Sequence, residues 1–203
     1  MIPPPSRHGA GSAKPKRMSA DTPDFAASPL ADLLAAANRP GASVDQWNPE
    51  HCGQIDIRVD AAGRWFHEGS EIRRPALVKL FARVLRREPD GTYVLVTPAE
   101  KMAIEVEDAP LVAVEARFDG AGEGATLTLR CATGELVAVD DAHPLTLRDG
   151  PAGRLPYLHV RGPLDRGIEA RPTRSCYLDL ATHADAEGMV WSGGRRWAVG
   201  DPA

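Results

Sequence analysis

The stretch at residues 47–58, W-N-P-E-H-C-G-Q-I-D-I-R, holds the densest set of chemically active side chains in the protein. A cysteine next to a histidine suggests a thiol nucleophile and its base, as in cysteine-dependent hydrolases and transferases. Side chains of adjacent residues rarely meet, however, and no second Cys or His follows at a spacing typical of zinc sites. We therefore expect Cys52 to be a small buried apolar residue.

A second polar stretch lies at residues 97–108. The sequence T-P-A-E-K predicts a tight turn that places Lys101 at a loop tip, and Glu105, Glu107 and Asp108 follow as an acidic strip. Residues two apart on a strand share a face, so Glu105 and Glu107 either hold a cation or an arginine together or are simply solvated. Loops held by a rigid sheet often carry function.

We predict that polar groups from these two stretches converge on one cleft. Asp56 and Arg58 share a strand face, where they either pair with each other in water or face a ligand. Arg58 and Lys101 favour a small anionic ligand. The candidate ligand-binding residues are Trp47, His51, Cys52, Asp56, Arg58, Lys101, Glu105 and Asp108.

Familiar signatures of catalysis are missing from the sequence. It has no G-x-G-x-x-G, P-loop, H-E-x-x-H or G-x-S-x-G motif. The glycine-rich loop at residues 120–124 leads into a strand pattern rather than a helix, which indicates a hairpin loop and not a phosphate site. The 6 histidines are spread without metal-ligand spacing. We assign no catalytic residue, no metal ligand and no cofactor.

The composition indicates a soluble protein of one large domain or two small ones. The 203 residues are 43% hydrophobic and 26% charged, with a formal net charge of −4. The 3 cysteines stand far apart, which argues against a disulfide framework and for a reducing compartment. The sequence shows no signal peptide and no membrane-spanning run, so we expect a cytoplasmic protein without a membrane partner.

Periodicity predicts the elements that position these residues. Residues 1–24 are rich in Pro, Gly, Ser and Lys and predict a disordered tail, after which Ser28 opens a short helix. A hairpin turns at residues 60–63, and residues 75–87 form the clearest helix, with a wide apolar face and arginines at its end. Further strands are predicted at 93–97, 102–107, 111–118, 125–131 and 136–139, and a second helix at 171–183.

The outer face of the helix at residues 75–87 is basic. Lys79, Arg83 and Arg86 lie on it, and Arg73 and Arg74 stand just ahead of it. Interleaved aromatic residues or a paired helix-turn-helix would indicate nucleic-acid binding, and neither accompanies this helix. We therefore predict a solvated face and no nucleic-acid partner.

Two short sequence echoes suggest an internal repeat. V-E-D-A-P-L at residues 106–111 recurs as V-D-D-A-H-P-L at 139–145, and D-A-A-G at 60–63 recurs as D-A-E-G at 185–188. Since strands and a helix occur in each half, we predict two related units with their boundary in the loop at 119–124.

Three sequence blocks carry a resemblance to a known family. They are W-N-P-E-H-C-G-Q-I-D-I-R at residues 47–58, G-R-W-F-H-E-G-S-E-I-R-R-P-A-L-V-K-L-F at 63–81, and Y-V-L-V-T-P-A-E-K-M-A-I-E-V-E-D-A-P at 93–110. Through them the chain resembles the bacterial domain-of-unknown-function family 1285, over residues 47–200. The resemblance implies an α+β fold with two related units and a supposed ligand-binding or signalling role. It supplies no established activity and no catalytic residues.

Together these patterns predict an α+β fold with two structurally related units, at residues 25–118 and 125–200. Each unit is a largely antiparallel β-sheet with one main helix, and a short N-terminal helix is predicted in addition. The predicted function is a non-catalytic ligand-binding or signalling-related module that binds a small anionic ligand or a protein partner. Two alternatives stay open. One is an assembly module, which an exposed apolar patch would mark. The other is a hydrolase or transferase that uses Cys52 with His51 or another histidine.

Overall fold

The structure is a computed structural model that describes residues 44–201, and two six-stranded sheets form the framework of this part of the chain. The predicted tail at residues 1–24 and the short helix after Ser28 lie outside the described residues. Each sheet is mostly antiparallel and is accompanied by one helix, so the predicted α+β fold with two related units is confirmed.

The first sheet contains the first six strands of the described chain. They are β1 (His51–Val59), β2 (Trp65–His67), β3 (Ser70–Glu71), β4 (Leu85–Arg87), β5 (Tyr93–Val96) and β6 (Glu100–Val106). Their order across the sheet is β3-β2-β1-β6-β5-β4. The central strands β1 and β6 run parallel, and the other neighbours are antiparallel.

The second sheet repeats this topology with the next six strands. They are β7 (Leu111–Asp119), β8 (Thr126–Cys131), β9 (Leu136–Ala138), β10 (Leu145–Gly150), β11 (Gly153–Arg161) and β12 (Ile168–Pro172). Their order is β10-β11-β12-β7-β8-β9, and again the first and the last strand in sequence, β7 and β12, form a parallel central pair. The two units are therefore related strand by strand.

The helices do not occupy equivalent places in the two units. Helix α1 (Pro75–Val84) connects β3 to β4, whereas α2 (Arg174–Thr182) follows β12 and leads to a separate hairpin of β13 (Met189–Ser192) and β14 (Arg195–Ala198). Short 3-10 turns occur at Val44–Gln46 and Gly122–Gly124. Neither α-helix of the described part is long and apolar enough to cross a membrane.

The predicted hairpin forms between β1 and β2. Ile57 and Val59 are buried and pair with His67 and Trp65 across the antiparallel ladder. The turn is held by Asp60, whose Oδ1 accepts hydrogen bonds from the backbone amides two and four residues later, each at 2.9 Å. This alternation of buried and exposed residues is typical of a strand with one face on the core.

Helix α1 is shorter than the predicted helix at residues 75–87. It ends at Val84, because Leu85 adopts extended backbone angles and begins β4, which pairs with β5. The arginines expected to complement the helix dipole therefore lie on a strand. Arg161 on β11 donates hydrogen bonds instead to the Ala82 oxygen in the last turn of α1 and, at 3.0 Å, to the oxygen of Leu85 directly after the helix. A cation of the second unit thus caps a helix of the first.

Helix α2 begins later than the predicted helix at residues 171–183. Thr173 is its N-cap and accepts a hydrogen bond from the Cys176 amide at 3.2 Å, as threonine commonly does at this position. Arg171 lies before this cap, on β12. The buried side of α2 carries Cys176 and Leu180, and the helix packs mainly on β7.

Neither sequence echo corresponds to the structural repeat. Residues 106–111 connect β6 to β7, from one sheet to the other, whereas residues 139–145 connect β9 to β10 within the second sheet. The turn at residues 60–63 connects β1 to β2, but the turn at 185–188 precedes the hairpin β13–β14, which belongs to neither six-stranded sheet. What the two turns share is local chemistry. Asp185, like Asp60, accepts two backbone amides, at 3.1 and 2.9 Å. The similarity of residues 60–63 and 185–188 therefore reflects the same kind of aspartate-stabilised turn, and not a duplicated unit.

The chain changes sheets earlier than the sequence suggested. Strand β7 pairs with β8 and β12, so it belongs to the second sheet, and the change of sheet occurs at residues 107–110 rather than in the loop at 119–124. Buried side chains of both sheets and both helices form one hydrophobic core cluster. The most buried large side chains of this core include Trp65 and Phe81, whose rings stack at 6.0 Å.

Candidate functional site

The two stretches predicted to form a cleft lie side by side as β1 and β6. Residue pairing along this parallel seam places His51 opposite Glu100, Cys52 opposite Lys101, and Arg58 opposite Glu105. The pairing shifts between Gln54 and Arg58, which bends the seam near its middle. We call this region the β1–β6 seam. The predicted polar residues are spread along it, because strand residues advance by about 3.3 Å each.

At one end of the seam, Lys101 is part of an internal charge network. Its Nζ lies 3.0 Å from Glu88, whose other oxygen lies 2.7 Å from Nε of Arg86. Burial alone would raise the pKa of Glu88, but hydrogen bonds from Lys101 and Arg86 outweigh it and hold that pKa below its ordinary value. Arg86 also donates to the backbone oxygens of Val44 and Trp47, at 2.8 and 2.6 Å. The charge of Lys101 is therefore compensated within the protein.

Trp47 supports this end of the seam. Its indole is partly buried and packs against the hydrophobic core, while its carbonyl is held by Arg86. Trp47 therefore has a structural role, because its ring packs on the core and its backbone oxygen accepts the hydrogen bond from Arg86.

At the other end of the seam, Arg58 forms an ion pair with Glu107 and lies over the ring of Phe66, 4.6 Å from its centroid. Glu107 also accepts the Ala61 amide at 2.9 Å. Both charged side chains remain exposed, at 38% and 44%. Arg58 and Lys101 therefore each have a carboxylate partner of their own, at opposite ends of the seam.

The structure corrects the expectation that Cys52 is buried. Cys52 is exposed at the start of β1, and so is His51. Consecutive strand residues point to opposite faces of a sheet, so the thiol and the neighbouring imidazole are directed apart. This geometry gives no support to a nucleophile–base pair formed by these two residues.

Asp56 and Glu105 line a small cavity in the middle of the seam. Its volume is about 360 Å³, and its walls are residues 54–57, Thr92 and residues 103–105. The charged side chains among these residues are the two carboxylates. This cavity is formed by the two predicted stretches, but Arg58 and Lys101 are not part of its lining.

A larger cavity opens beside it, where the two sheets meet. This inter-sheet cleft has a volume of about 710 Å³ and shares Thr92 and Ile104 with the smaller cavity. Its volume falls within the range of ligand pockets, roughly 300–1,000 Å³. Its walls come from both units: Arg87, Gly91, Thr92, Tyr93, Ile104, Val106, Glu107, Asp108, Arg148, Asp149, Gly150, Pro151 and Glu169.

A buried carboxylate lies at the base of the inter-sheet cleft. The side chain of Asp108 is 1% exposed, and its two oxygens accept the hydroxyl hydrogen bond of Tyr157 at 2.8 and 2.9 Å. Arg148 approaches one oxygen at 3.7 Å and Arg171 approaches the other at 3.8 Å. Two guanidinium groups and a hydroxyl thus compensate a charge that would be costly to bury alone.

Tyr157 ties this carboxylate to the second sheet. Burial, the hydrogen bond to Asp108 and the negative charge of Asp108 raise the pKa of Tyr157 to about 12. The guanidinium of Arg148 lies over the tyrosine ring, 3.4 Å from its centroid, and also binds Glu169 at 2.9 Å. A Cβ at Gly150 would overlap the Tyr157 hydroxyl, so the β10–β11 turn can approach this pair only with glycine there.

Arg87 is the cation of the cleft that has no internal ion pair. Its Nε makes a long hydrogen bond to the Gly91 carbonyl, 3.4 Å, and its guanidinium lies 5.4 Å from the ring centroid of Tyr93. Within residues 44–201 it is not ion-paired to any carboxylate. Its charge is therefore available to an incoming group.

Of the eight residues predicted from the sequence, Asp108 lies in the inter-sheet cleft, and Asp56 and Glu105 line the adjoining smaller cavity. Sequence reasoning missed the other side chains that shape the cleft: Arg87, Tyr93, Arg148, Tyr157, Glu169 and Arg171. A signal was present for Arg148, because Leu145 and Leu147 alternate with polar residues on β10. Within the part of the chain that the structure describes, no group of three or more His, Cys, Asp or Glu side chains is placed to hold a metal ion.

Comparison with known proteins places these features in a family. Residues 42–109 match the model described as "Domain of unknown function (DUF1285), N-terminal domain", and residues 110–199 match "Protein of unknown function (DUF1285), C-terminal domain". The junction of the two models coincides with the change of sheet at residues 107–110. A search of curated proteins found no match.

The chain is also similar to two proteins of known crystal structure. A DUF1285 family protein from Silicibacter pomeroyi DSS-3 is 36% identical, covers 82% of this chain and 93% of its own, and superposes with a TM-score of 0.74. A DUF1285 family protein from Shewanella baltica OS155 is 32% identical over 62% of this chain and 90% of its own, with a TM-score of 0.47. The expected family is therefore confirmed, and the chain belongs to the DUF1285 family.

Proposed function

We propose that this protein is a non-catalytic module that binds a small polar ligand in the inter-sheet cleft. The observation that carries the proposal is the cleft itself, about 710 Å³ in volume, to which both units contribute charged side chains around a fixed base. Pockets at the junction of two units are a common place for small ligands. A ligand bound there would contact both sheets at once.

The charges of the cleft suggest the chemistry of the ligand. Arg87 lacks an internal carboxylate partner and is suited to a carboxylate or phosphate group of the ligand. Asp149 and the Glu169 oxygen that Arg148 does not bind, both from the second unit, present carboxylate oxygens that can accept hydrogen bonds from hydroxyl or ammonium groups. The proposed ligand is therefore a small anion that also carries hydroxyl or amino groups, such as a hydroxy acid, an amino acid or a sugar phosphate.

The side chains at the base of the cleft are already held in place, which supports the proposal that the cleft binds a ligand. Asp108, Tyr157, Arg148 and Glu169 are held to one another by hydrogen bonds and close charge contacts, at distances of 2.8–3.7 Å. Side chains fixed in this way lose little conformational entropy when a ligand arrives. The base therefore sets the shape of the site, while Arg87 supplies the charge that selects the ligand.

Thermal unfolding of the full chain with hydroxy acids, amino acids, sugar phosphates and nucleotides tests the proposal. A ligand at 100 times its dissociation constant stabilises the folded protein by roughly 2.7 kcal/mol, which is a visible shift in Tm. We expect Arg87→Gln to remove the shift and Arg83→Gln to retain it, because Arg83 is exposed on α1 and does not line the cleft. A screen without any hit, or hits that survive Arg87→Gln, would contradict the proposal.

A further inference from the structure

A third cavity lies beside α1, on a different part of the surface from the inter-sheet cleft. This α1 cavity has a volume of about 460 Å³ and lies between α1, the β2–β3 hairpin and the β8–β9 turn. It shares no lining residue with the inter-sheet cleft. Its lining is Gly63, Arg64, Trp65, Glu71, Ile72, Arg73, Pro75, Val78, Lys79, Ala132 and Thr133.

The floor of the α1 cavity is apolar and rigid. Trp65 and Ile72 are 2% and 9% exposed, and Val78 is partly buried beside them. Trp65 stacks on Phe81 inside the core, so the floor cannot collapse into the cavity without disturbing the core. One wall is fixed by Gly63, which has a φ of 78° and approaches Val112 so closely that a Cβ would overlap it.

The rim of the α1 cavity is cationic. Arg64, Arg73 and Lys79 reach it from three separate positions in the chain, against one carboxylate, Glu71. Arg64 is paired with Asp60, and Arg73 makes only a long contact of 3.4 Å with Glu71. The rim is therefore positively charged on balance.

Lys79 is the cation of this rim that is most available to a ligand. It is exposed, and within the described residues it is not ion-paired to any carboxylate. Its Nζ lies over the β8–β9 turn, 3.4 Å from the position that a Cβ would take at Gly134. The ammonium group thus stands between the helix of the first unit and a turn of the second, at the mouth of the cavity.

We propose that the α1 cavity binds an amphipathic anion, with an aliphatic or aromatic body on Trp65, Ile72 and Val78 and a carboxylate or phosphate head group at Lys79 and Arg73. An apolar floor with a few placed polar groups is the usual construction of a small-molecule site. Burial of the apolar body drives binding, and the cations select an anionic head group over a neutral one.

Calorimetric titration of the full chain with octanoate, octyl phosphate, octanol and inorganic phosphate tests this inference. We expect saturable binding of the two amphipathic anions, and at least tenfold weaker binding of octanol and of inorganic phosphate, since each lacks one half of the recognition. The expected order of the two head groups, octyl phosphate above octanoate, follows from the larger charge of phosphate.

Variants at exposed positions locate the binding without disturbing the core. Lys79→Gln should weaken the binding of octyl phosphate about tenfold, and Arg83→Gln, on the same helix but outside the lining, should leave it unchanged. Ala132→Trp places a large side chain at the mouth of the cavity and should abolish binding while the Tm is kept. Any of three results would overturn the inference. Octanol could bind as tightly as octanoate, neither Lys79→Gln nor Ala132→Trp could change the binding, or neither anion could show saturable binding.

Discussion

The β1–β6 seam and the inter-sheet cleft contain the same kinds of charged side chain but differ in whether the cations have ion-pair partners within the protein. Along the seam, Lys101 is bound to Glu88 and Arg58 to Glu107, so the two cations are neutralised within the protein. In the cleft, Asp108 is buried beneath two arginines, and Arg87 has no internal carboxylate. A charged residue is therefore a candidate for ligand binding when it lines a cavity and has no ion-pair partner within the protein.

The largest expected effect comes from the buried carboxylate of the cleft. Asp108→Asn keeps the shape of the side chain but removes the negative charge beside Arg171, and it leaves Arg148 with Glu169 as its remaining carboxylate partner. We expect the free energy of unfolding to fall by about 3 kcal/mol, as measured by urea denaturation. Asp149→Asn is the matched control, because Asp149 lines the same cleft but is exposed, and it should leave stability unchanged. Equal losses in the two variants would show that Asp108 is not the structural base of the cleft.

A smaller effect is expected from the charge network of the seam. Glu88 is 18% exposed and binds both Arg86 and Lys101, so Glu88→Gln should cost about 1.5 kcal/mol at neutral pH. The exposed carboxylate of Glu105 lies on the same seam without an ion pair in the described residues, and Glu105→Gln serves as the control.

The same variant has a defined pH dependence. Because the pKa of Glu88 in the folded protein is below its ordinary value of 4.5, the network stabilises the fold above that value and is lost as the pH falls through the lowered pKa. Between neutral and acidic pH, unfolding free energies of wild type and Glu88→Gln should therefore converge. A difference that stays constant down to the lowest pH would show that the charge of Glu88 is not what stabilises the seam.

The smallest effect is expected at the exposed end of the seam. Arg58 and Glu107 are solvent-exposed, and pairs of this kind contribute little, so Arg58→Gln should change stability by about 0.5 kcal/mol. The same variant should retain the thermal shift of any ligand of the cleft, because Arg58 itself does not line the cleft and its partner Glu107, which does, is still held by the Ala61 amide. If Arg58→Gln abolished that shift, the ligand would bind at the β1–β6 seam, as predicted from the sequence, and not in the cleft.

Local pattern was enough to predict much of the first unit. The alternation around Ile57 and Val59 and the turn at Asp60 predicted the first hairpin, and Pro75 marked the true start of α1. The end of α1 was missed because pairing of Leu85 with Leu95 overrides the helical pattern, and no local signal reports such a contact.

Much of the second unit lay beyond local pattern. Strand β11 is buried continuously from Pro156 to Val160 instead of alternating, and a proline inside it opposes a strand assignment. Without β10 to β12 the partners of Asp108 could not be placed, since Tyr157 is 49 residues away in sequence. The sequence alone identified Asp108 as an acidic candidate, but it could not predict that this side chain is buried where the two sheets meet.

Amide chemical-shift mapping by NMR tests the central claim, ligand binding in the inter-sheet cleft, most directly. The full chain would be titrated with a panel of hydroxy acids, amino acids and sugar phosphates. We predict saturable shifts that involve both walls together, Gly91 and Thr92 from the first unit and Asp149 and Gly150 from the second. Ligand binding in the cleft would be contradicted if the shifts were confined to the seam around Cys52 and Lys101. It would also be contradicted if no compound of the panel shifted the amides of the cleft.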